Sequence, residues 1–407
     1  MDLKGKAIGL LMIVSMLHDM PCLGFRYPSV IYALLVIALF LLLCSTIYFS
    51  DLKRILPVFA LPVLNIIPLT VDGSDVMQIF QYISGLMQMM SYPLAAYYII
   101  KTENYKLARI LLILYIAISL ITCVTTYYGN LMHPGASRAL ATGMSESPQL
   151  MLIYQAANIG GFSFVYNIVI LTPLLIFTLK NRKKIAHGIL YGIFCLGFFS
   201  AIFLALSAAE YTIALLLFVL CLSLFFIGDK LNIKKLLLIG CIGGLVFFIL
   251  KAPIANMFWN ISQHVESTNL SERLQDISYS LQGNQLDNDS DLSARQEHYG
   301  KSMDSFIQYP LGSWTQKTVG GHSFFLDQLG KFGIIGLFLL IILYRRLYAI
   351  CIKPSQSSDY HGYALFAFFI FIIATVVNPI LFLDAIMFVL PLFGFVINSR
   401  LNNKILA

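Results

Sequence analysis

Between Ser29 and Thr46 the chain reads SVIYALLVIALFLLLCST, 18 residues without a single charge. Stretches of this kind recur from one end of the sequence to the other. As a helix rising about 1.5 Å per residue, such a run covers ~27 Å, close to the ~30 Å hydrocarbon thickness of a bilayer. A water-soluble fold has no means of covering so many of them. Hydrophobic residues make up 58% of the chain and charged residues only 12%, against about 25% charged in soluble domains. The pattern predicts an all-α polytopic membrane protein, with residues 1–407 forming a single integral membrane domain. The opening MDLKGKAIGLLMIVSML has a basic start but no small-residue cleavage pattern, so it reads as a first span and not a removable signal.

Twelve spans are expected, over residues 7–24, 28–49, 55–70, 76–100, 107–128, 149–179, 186–206, 209–228, 234–258, 323–344, 361–379 and 381–399. The sixth is long enough to be broken, and NIGGF at Asn158–Phe162 is the expected break. Alternate loops gather 19 of the 27 basic residues, among them Lys53, Arg54, Lys101, Lys183, Arg345 and Arg346. The positive-inside rule then puts those loops and both termini in the cytoplasm. The net charge of +7 is accounted for by orientation and calls for no nucleic-acid partner. Cys22, Cys44, Cys123, Cys195, Cys221 and Cys241 fall in spans or at their ends and Cys351 in an inside loop, so no disulfide framework is expected.

Two loops on the other side stand apart, a moderate one over 129–148 and a long one over 259–322. The long loop carries eight acidic against four basic residues and contains two stretches with helical spacing, SERLQDISYSL and SARQEHYGKSMDSFI. Serine caps are expected there at Ser271 and Ser293. Loops of this length are usually lids or binding loops. DNDSD (Asp287–Asp291) lacks the glycine and glutamate of a calcium loop and reads as a solvated acidic turn.

Transporters hold ionisable groups inside their spans; here the span interiors are nearly bare, and the unusual polar groups collect at the outer face. Arg138, in SRALATG, sits among Gly135 and Gly143 and is either a solvated loop arginine or an anion ligand. Arg295 shares a helix face with His298 and Tyr299, and either pairs with Glu297 or Asp291 or joins an anion clamp. Arginines from separate loops suit a diphosphate, because the guanidinium fork matches its oxygens where lysine offers a point charge. His322 follows Gly320–Gly321 and precedes an apolar helix. An imidazole there can take a proton from a hydroxyl, and a helix N-terminus disfavours its charged form; the plainer reading is an interfacial or capping histidine. His298, on a more polar helix, is its rival. The glycines of GKFGIIG (Gly330, Gly333, Gly336) read as close helix packing.

In order and placement, these features resemble the O-antigen polymerase (Wzy-type) and O-antigen ligase superfamily of bacterial envelope glycosyltransferases. RALATG resembles the family's Arg-x-x-Gly-type segment. RQEHYGKSMDSFIQYPLGSW (Arg295–Trp314) is similar to its segment running from an arginine through aromatics to Pro-hydrophobic-Gly. GGHSFFLDQLGKFGIIG (Gly320–Gly336) is similar to its histidine segment entering a span. The resemblance implies a GT-C-like membrane enzyme of the bacterial cytoplasmic (inner) membrane. Its implied activity is an inverting, metal-independent glycosyl transfer on the outer face, with no cofactor. The donor would be an oligosaccharide on undecaprenyl diphosphate, held in the bilayer. His322 would be the catalytic base, Arg138 and Arg295 with Arg273 the diphosphate ligands, and Tyr299, Tyr309 and Trp314 sugar-stacking residues. Arg273 and Arg295 compete for the family's second arginine position. A polymerase of O-antigen or capsule repeats, working beside a polysaccharide chain-length regulator, fits the net acidic long loop better than a ligase, which must meet phosphorylated lipid A-core. A lipid-linked oligosaccharide flippase or other transporter is the alternative of a different class.

Overall fold

The structure is a computed structural model describing residues 3–18, 29–142, 147–181, 188–227, 231–265, 268–283, 291–356, 358–380 and 383–405. Among these residues every regular element is a helix. That is what an apolar solvent dictates, since a helix satisfies its own backbone hydrogen bonds where no water is available to do so. Four helical stretches are long and apolar enough to cross a membrane: Asp51–Val71, Tyr105–Met132, Phe162–Lys180 and Phe324–Ser355. Several shorter apolar helices lie beside them, and large apolar side chains such as Leu34, Ile113 and Phe338 face outward. The chain is a helical, membrane-embedded protein.

The helices follow the apolar runs, and their ends follow the chain's turn residues. α1 (Leu3–His18) and α2 (Ser29–Thr46) are uninterrupted. The next stretch is not: α3 (Phe49–Ile55), a 3-10 turn at Leu56–Phe59, α4 (Ala60–Leu64) and α5 (Ile66–Val71) succeed one another. Pro57, Pro62 and Pro68 each remove a backbone donor there. α6 (Val76–Lys101) opens on a capping box between Asp75 and Gln78. α7 (Tyr105–Met132) leads to a short α8 (Ala136–Thr142) and then α9 (Pro148–Ala156) and α10 (Phe162–Lys180), which part at the expected break. Asn158 holds φ +54 there and donates from its side-chain amide to Thr122 Oγ1 at 2.8 Å, while Gly160 N–H donates to Thr126 Oγ1 at 2.7 Å.

α11 (Gly188–Ala208), α12 (Thr212–Leu222), α13 (Leu224–Ile227) and α14 (Ile233–Ile249) continue the bundle. α15 (Lys251–Ser262) follows, taking in the end of the ninth predicted span. Much of the described part of the long loop is helical, up to Gln308. α15 packs on α16 (Thr268–Gln282), with Trp259 and Tyr279 rings 5.5 Å apart, and α17 (Asp291–Gln308) packs on α18 (Phe324–Leu347). Ser271 and Ser293 lie inside these helices and not at their caps: each helix already runs through earlier residues. Ser271 Oγ instead donates to the Ser262 carbonyl at 2.9 Å, fastening α16 to α15. Residues 287–290 of the acidic turn, Gly143 and Cys22 lie outside the described residues. α19 (His361–Val377) and α20 (Leu390–Ile405), the latter entered through a wide turn at Ala385–Val389, close the bundle. α10 is its central helix, packed against α11, α12 and α19. The five described cysteines with placed side chains are unbridged.

α18 carries one departure from helical geometry, at Gly333 (φ 59°, ψ −137°). A Cβ there would stand 2.1 Å from the Pro310 carbonyl oxygen, to which Ile334 N–H donates at 2.9 Å. A Cβ at Gly330 would stand 2.6 Å from Val319 Cγ1 and 2.9 Å from the Ser302 carbonyl oxygen. The glycines of GKFGIIG therefore serve close packing: Gly330 and Gly333 dock the 309–321 segment onto α18, and Gly336 meets Gln328 and Phe332 within α18.

The two ends of the bundle differ in charge. One end gathers Lys53, Arg54, Lys101, Lys106, Lys180, Arg345 and Arg346 at helix termini. Lys101 pairs with Asp51 and sits 4.5 Å over the Tyr48 ring, and Tyr105 stacks on Phe395 at 4.3 Å. The opposite end carries α8, α16, α17 and the turns at 209–211, 320–323 and 378–380, and the candidate site is built there.

Candidate functional site: an arginine cavity beside two stacked histidines

Three arginines reach one cavity from three helices, and each is placed by its own local device. Arg138 sits on α8, whose start is clamped to the end of α7 by the buried Asn130. The Asn130 amide donates to the Thr126 carbonyl and to Ser137 Oγ, both at 2.8 Å, and its oxygen accepts from Ser137 N–H at 3.2 Å. The intervening turn passes through Gly135 at φ +82, a left-handed conformation that glycine adopts without penalty. From the other side, Tyr211 OH donates to the Ser137 carbonyl at 3.0 Å.

Arg273 sits one turn into α16 and donates from Nη1 to the carbonyl of Glu210, in the tight 209–211 turn where Glu210 holds φ +57. Arg295 sits in the first turns of α17. It donates to the Val377 carbonyl and to Asn378 Oδ1, both at 3.4 Å, and not to Glu297; the side chain of Asp291 lies outside what is described. Tyr299, one turn on, donates to the same Val377 carbonyl at 2.8 Å, so the two residues do share a face. Asn378 in turn donates to the buried Tyr166 hydroxyl at 2.8 Å, tying this cluster to the central helix.

The result is a cavity of about 100 Å³ lined by Arg138, Arg273 and Arg295, with Tyr166, Tyr211 and Asp276 among its walls. Three cations against one acid leave it positively charged. A volume of a few waters, at about 30 Å³ each, suits a compact anionic group and not a whole sugar chain. Guanidinium groups converging from three directions can meet several oxygens of one anion at once. The sequence alternatives of Arg273 or Arg295 as the second arginine are both placed here.

His322 lies outside the walls of this cavity but is attached to its rim. Its ring stacks on His298 with centroids 4.2 Å apart and planes 24° from parallel, and His298 lies one helical turn from Arg295 on α17. The cap of α18 is Ser323, whose hydroxyl oxygen accepts from Leu326 N–H at 3.1 Å, so His322 is not a capping residue. Its turn is fixed on every side. Gly320 lies against α17 so tightly that a Cβ would stand 2.2 Å from the His298 carbonyl oxygen. Gly320 N–H donates to Ser302 Oγ at 3.0 Å and Gly321 N–H to the buried Asp327 at 3.1 Å, which also accepts from Ser302 at 2.7 Å. Ser323 donates to the Val376 carbonyl, and Phe324 N–H to the Asn378 carbonyl at 2.9 Å. The segment 376–378 thus holds both Arg295 and the residues flanking His322.

The predicted aromatics divide. Tyr299 belongs to the cluster, whereas Tyr309 stands 14 positions beyond Arg295, past the end of α17. That is about 21 Å along the helix axis. Trp314 packs edge-on against Phe332 at 5.4 Å and its backbone N–H donates to the Lys331 carbonyl at 2.9 Å. Neither lines the arginine cavity. Asn130, Tyr166 and Asn378 are site-building residues that the loop-centred reading passed over. Their signal was present: amides and a phenol inside otherwise apolar runs, where a polar group needs a reason. The chain matches no protein-family model and no curated protein.

Proposed function

We propose that this protein is a membrane-embedded glycan polymerase. It transfers an oligosaccharide from undecaprenyl diphosphate to a sugar hydroxyl of a second lipid-linked repeat. The observation that carries the reading is the convergence of Arg138, Arg273 and Arg295 on one cavity, next to the His298–His322 stack. The basic residues gathered at one end of the bundle support an orientation with that end cytoplasmic and the site on the outer face; twelve spans in a bacterial inner membrane are part of the same reading.

In this reading His322 takes the proton of the acceptor hydroxyl as that oxygen attacks the anomeric carbon. The bond from that carbon to the phosphate oxygen breaks, and undecaprenyl diphosphate leaves with the electron pair. The three arginines stabilise the charge that develops on it, which is the point where fixed cations lower the barrier most. A single displacement inverts the anomeric configuration, and no step calls for a metal. His298 positions the His322 ring by stacking.

The test is elongation of lipid-linked repeats by the detergent-purified protein, with no ion gradient present. The reading predicts polymer formation, and its loss in His322→Ala with normal membrane insertion. Transfer only onto lipid A-core would identify a ligase. Transport without bond formation would identify a carrier.

A further inference from the structure

A second cavity, of about 570 Å³, opens beside the same two turns that hold the site. Phe324, two residues after His322, and Pro379, directly after Asn378, both line it. Its volume falls within the range of about 300–1,000 Å³ typical of small-molecule sites. Its polar wall is made of carboxamides and hydroxyls: Asn65, Gln81, Gln316 and Gln328 with Tyr82 and Ser163. Among the described residues that line it, Lys331 is the one cation.

The hydrogen bonding of Lys331 is incomplete for a group in such a place. Its ammonium makes one hydrogen bond, a long one of 3.4 Å to Asn65 Oδ1. The Asn65 amide is committed elsewhere, to the Leu61 carbonyl at 3.0 Å and to Gln328 Oε1 at 2.9 Å. An ammonium has three donors, so two remain for the cavity. The nearby acids, Asp327 and Asp72, act on Lys331 through space but bond elsewhere. Asp327 accepts from Ser302 and Gly321, and Asp72 accepts from Thr315 and the Gln316 N–H, contacts that fix Gln316 in the cavity wall. Neither forms an ion pair with Lys331. Lys331 is part-buried in the wall of this half-open cavity, and an anion meeting its ammonium there would offset the water it has lost.

We propose that this cavity binds a carboxylate-bearing sugar, its acid on Lys331 and its hydroxyls on the carboxamides. A single ammonium matches a single negative charge, whereas a phosphate dianion is better served by the grouped arginines next door. That the ligand is a sugar, and stands as the acceptor facing His322, rests on the glycosyl-transfer reading. The demand for an anion rests on Lys331 alone.

The chain supplies its own reporter. It has two tryptophans, Trp259 and Trp314, and the Trp314 backbone is bonded to that of Lys331. In Trp259→Phe protein, Trp314 emission is titrated with methyl glucuronide, methyl glucoside and inorganic phosphate. Saturable change with methyl glucuronide is expected, with methyl glucoside and phosphate at least about tenfold weaker, as loss of a charge-assisted hydrogen bond implies. Lys331→Gln should erase the preference and Lys331→Arg keep it. Equal titration by the two methyl glycosides overturns the proposal, as does a preference for phosphate or a preference that survives Lys331→Gln. Binding is read without turnover, so a failure of the polymerase reading in the elongation assay is a separate result.

Discussion

Arginine and lysine carry the same charge, yet only arginine presents a planar fork, and the site uses the fork three times. Arg138→Lys or Arg295→Lys is therefore expected to lower elongation kcat/KM by roughly 10²–10³, although the net charge is unchanged. Steady-state elongation by the purified variants checks this; full activity in both lysine variants would reduce the cavity to a simple positive patch. On the proposed reading the two histidines have separate roles. His322→Ala should lower kcat by about 10²–10⁴, the range for loss of a general base. His298→Ala should cost only about three- to tenfold, in line with ~0.5–1.5 kcal/mol for an aromatic pair. His298→Phe should restore most of that, because it keeps a ring on which His322 can stack. Equal loss in His298→Phe and His298→Ala would give His298 a chemical part and not a positioning one.

At the scale of elements, the site depends on how the 309–323 segment is bolted to α17 and α18. Gly320→Ala is expected to push this segment off the His298 carbonyl, where the added carbon would stand at 2.2 Å. Crowding of this kind costs about 1–3 kcal/mol. Thermal unfolding in detergent should record the loss, and elongation should fall further than in His298→Ala because the turn that carries His322 is itself displaced. Much of the helix layout could be read from apolar runs and their punctuation. The break at Asn158–Gly161 was legible because two glycines and an amide interrupt an apolar stretch. The division of the third run was less so, although Pro57, Pro62 and Pro68 were in view. Cap positions in the long loop were misread, since Ser271 is used to hold α15 and not to start α16. The candidate site was legible in its charged members and not in their supports. Arg138, Arg273, Arg295 and His322 stand out in polar loops. The stack of His298 on His322 needs residues 24 positions apart to meet across two helices, and no local pattern encodes that.

Across the whole molecule, the segment following Trp314 is fastened to the end of α5, more than 240 residues earlier in the chain, by one carboxylate. Hydrogen bonds from Thr315 and from the Gln316 N–H hold the Asp72 carboxyl below its ordinary range. A lowered folded-state value stabilises this junction above the unfolded carboxylate pKa of about 4. The contribution disappears as pH falls through the lower folded value. Trp314 emission in Trp259→Phe protein should therefore shift on acidification below about pH 4, and Asp72→Asn should show the shifted state already at neutral pH. A flat profile in the parent protein would show that Asp72 does not hold the junction. Orientation is a property at this scale too. Single cysteines on a background with the native cysteines replaced should label from outside the cell at residue 138 or 317, and not at residue 101 or 346.

The central claim is that three separate helices form one anion site for a lipid diphosphate, with a base beside it that is not needed for binding. Equilibrium binding of the undecaprenyl-diphosphate-linked repeat to purified protein tests this most directly, with Arg138→Ala, Arg273→Ala, Arg295→Ala and His322→Ala compared. Each arginine variant should bind about 10–100-fold more weakly, as loss of a hydrogen bond to a charged group implies, while His322→Ala binds like the parent and fails to elongate. Arginine variants that bind the donor as the parent does would contradict the account.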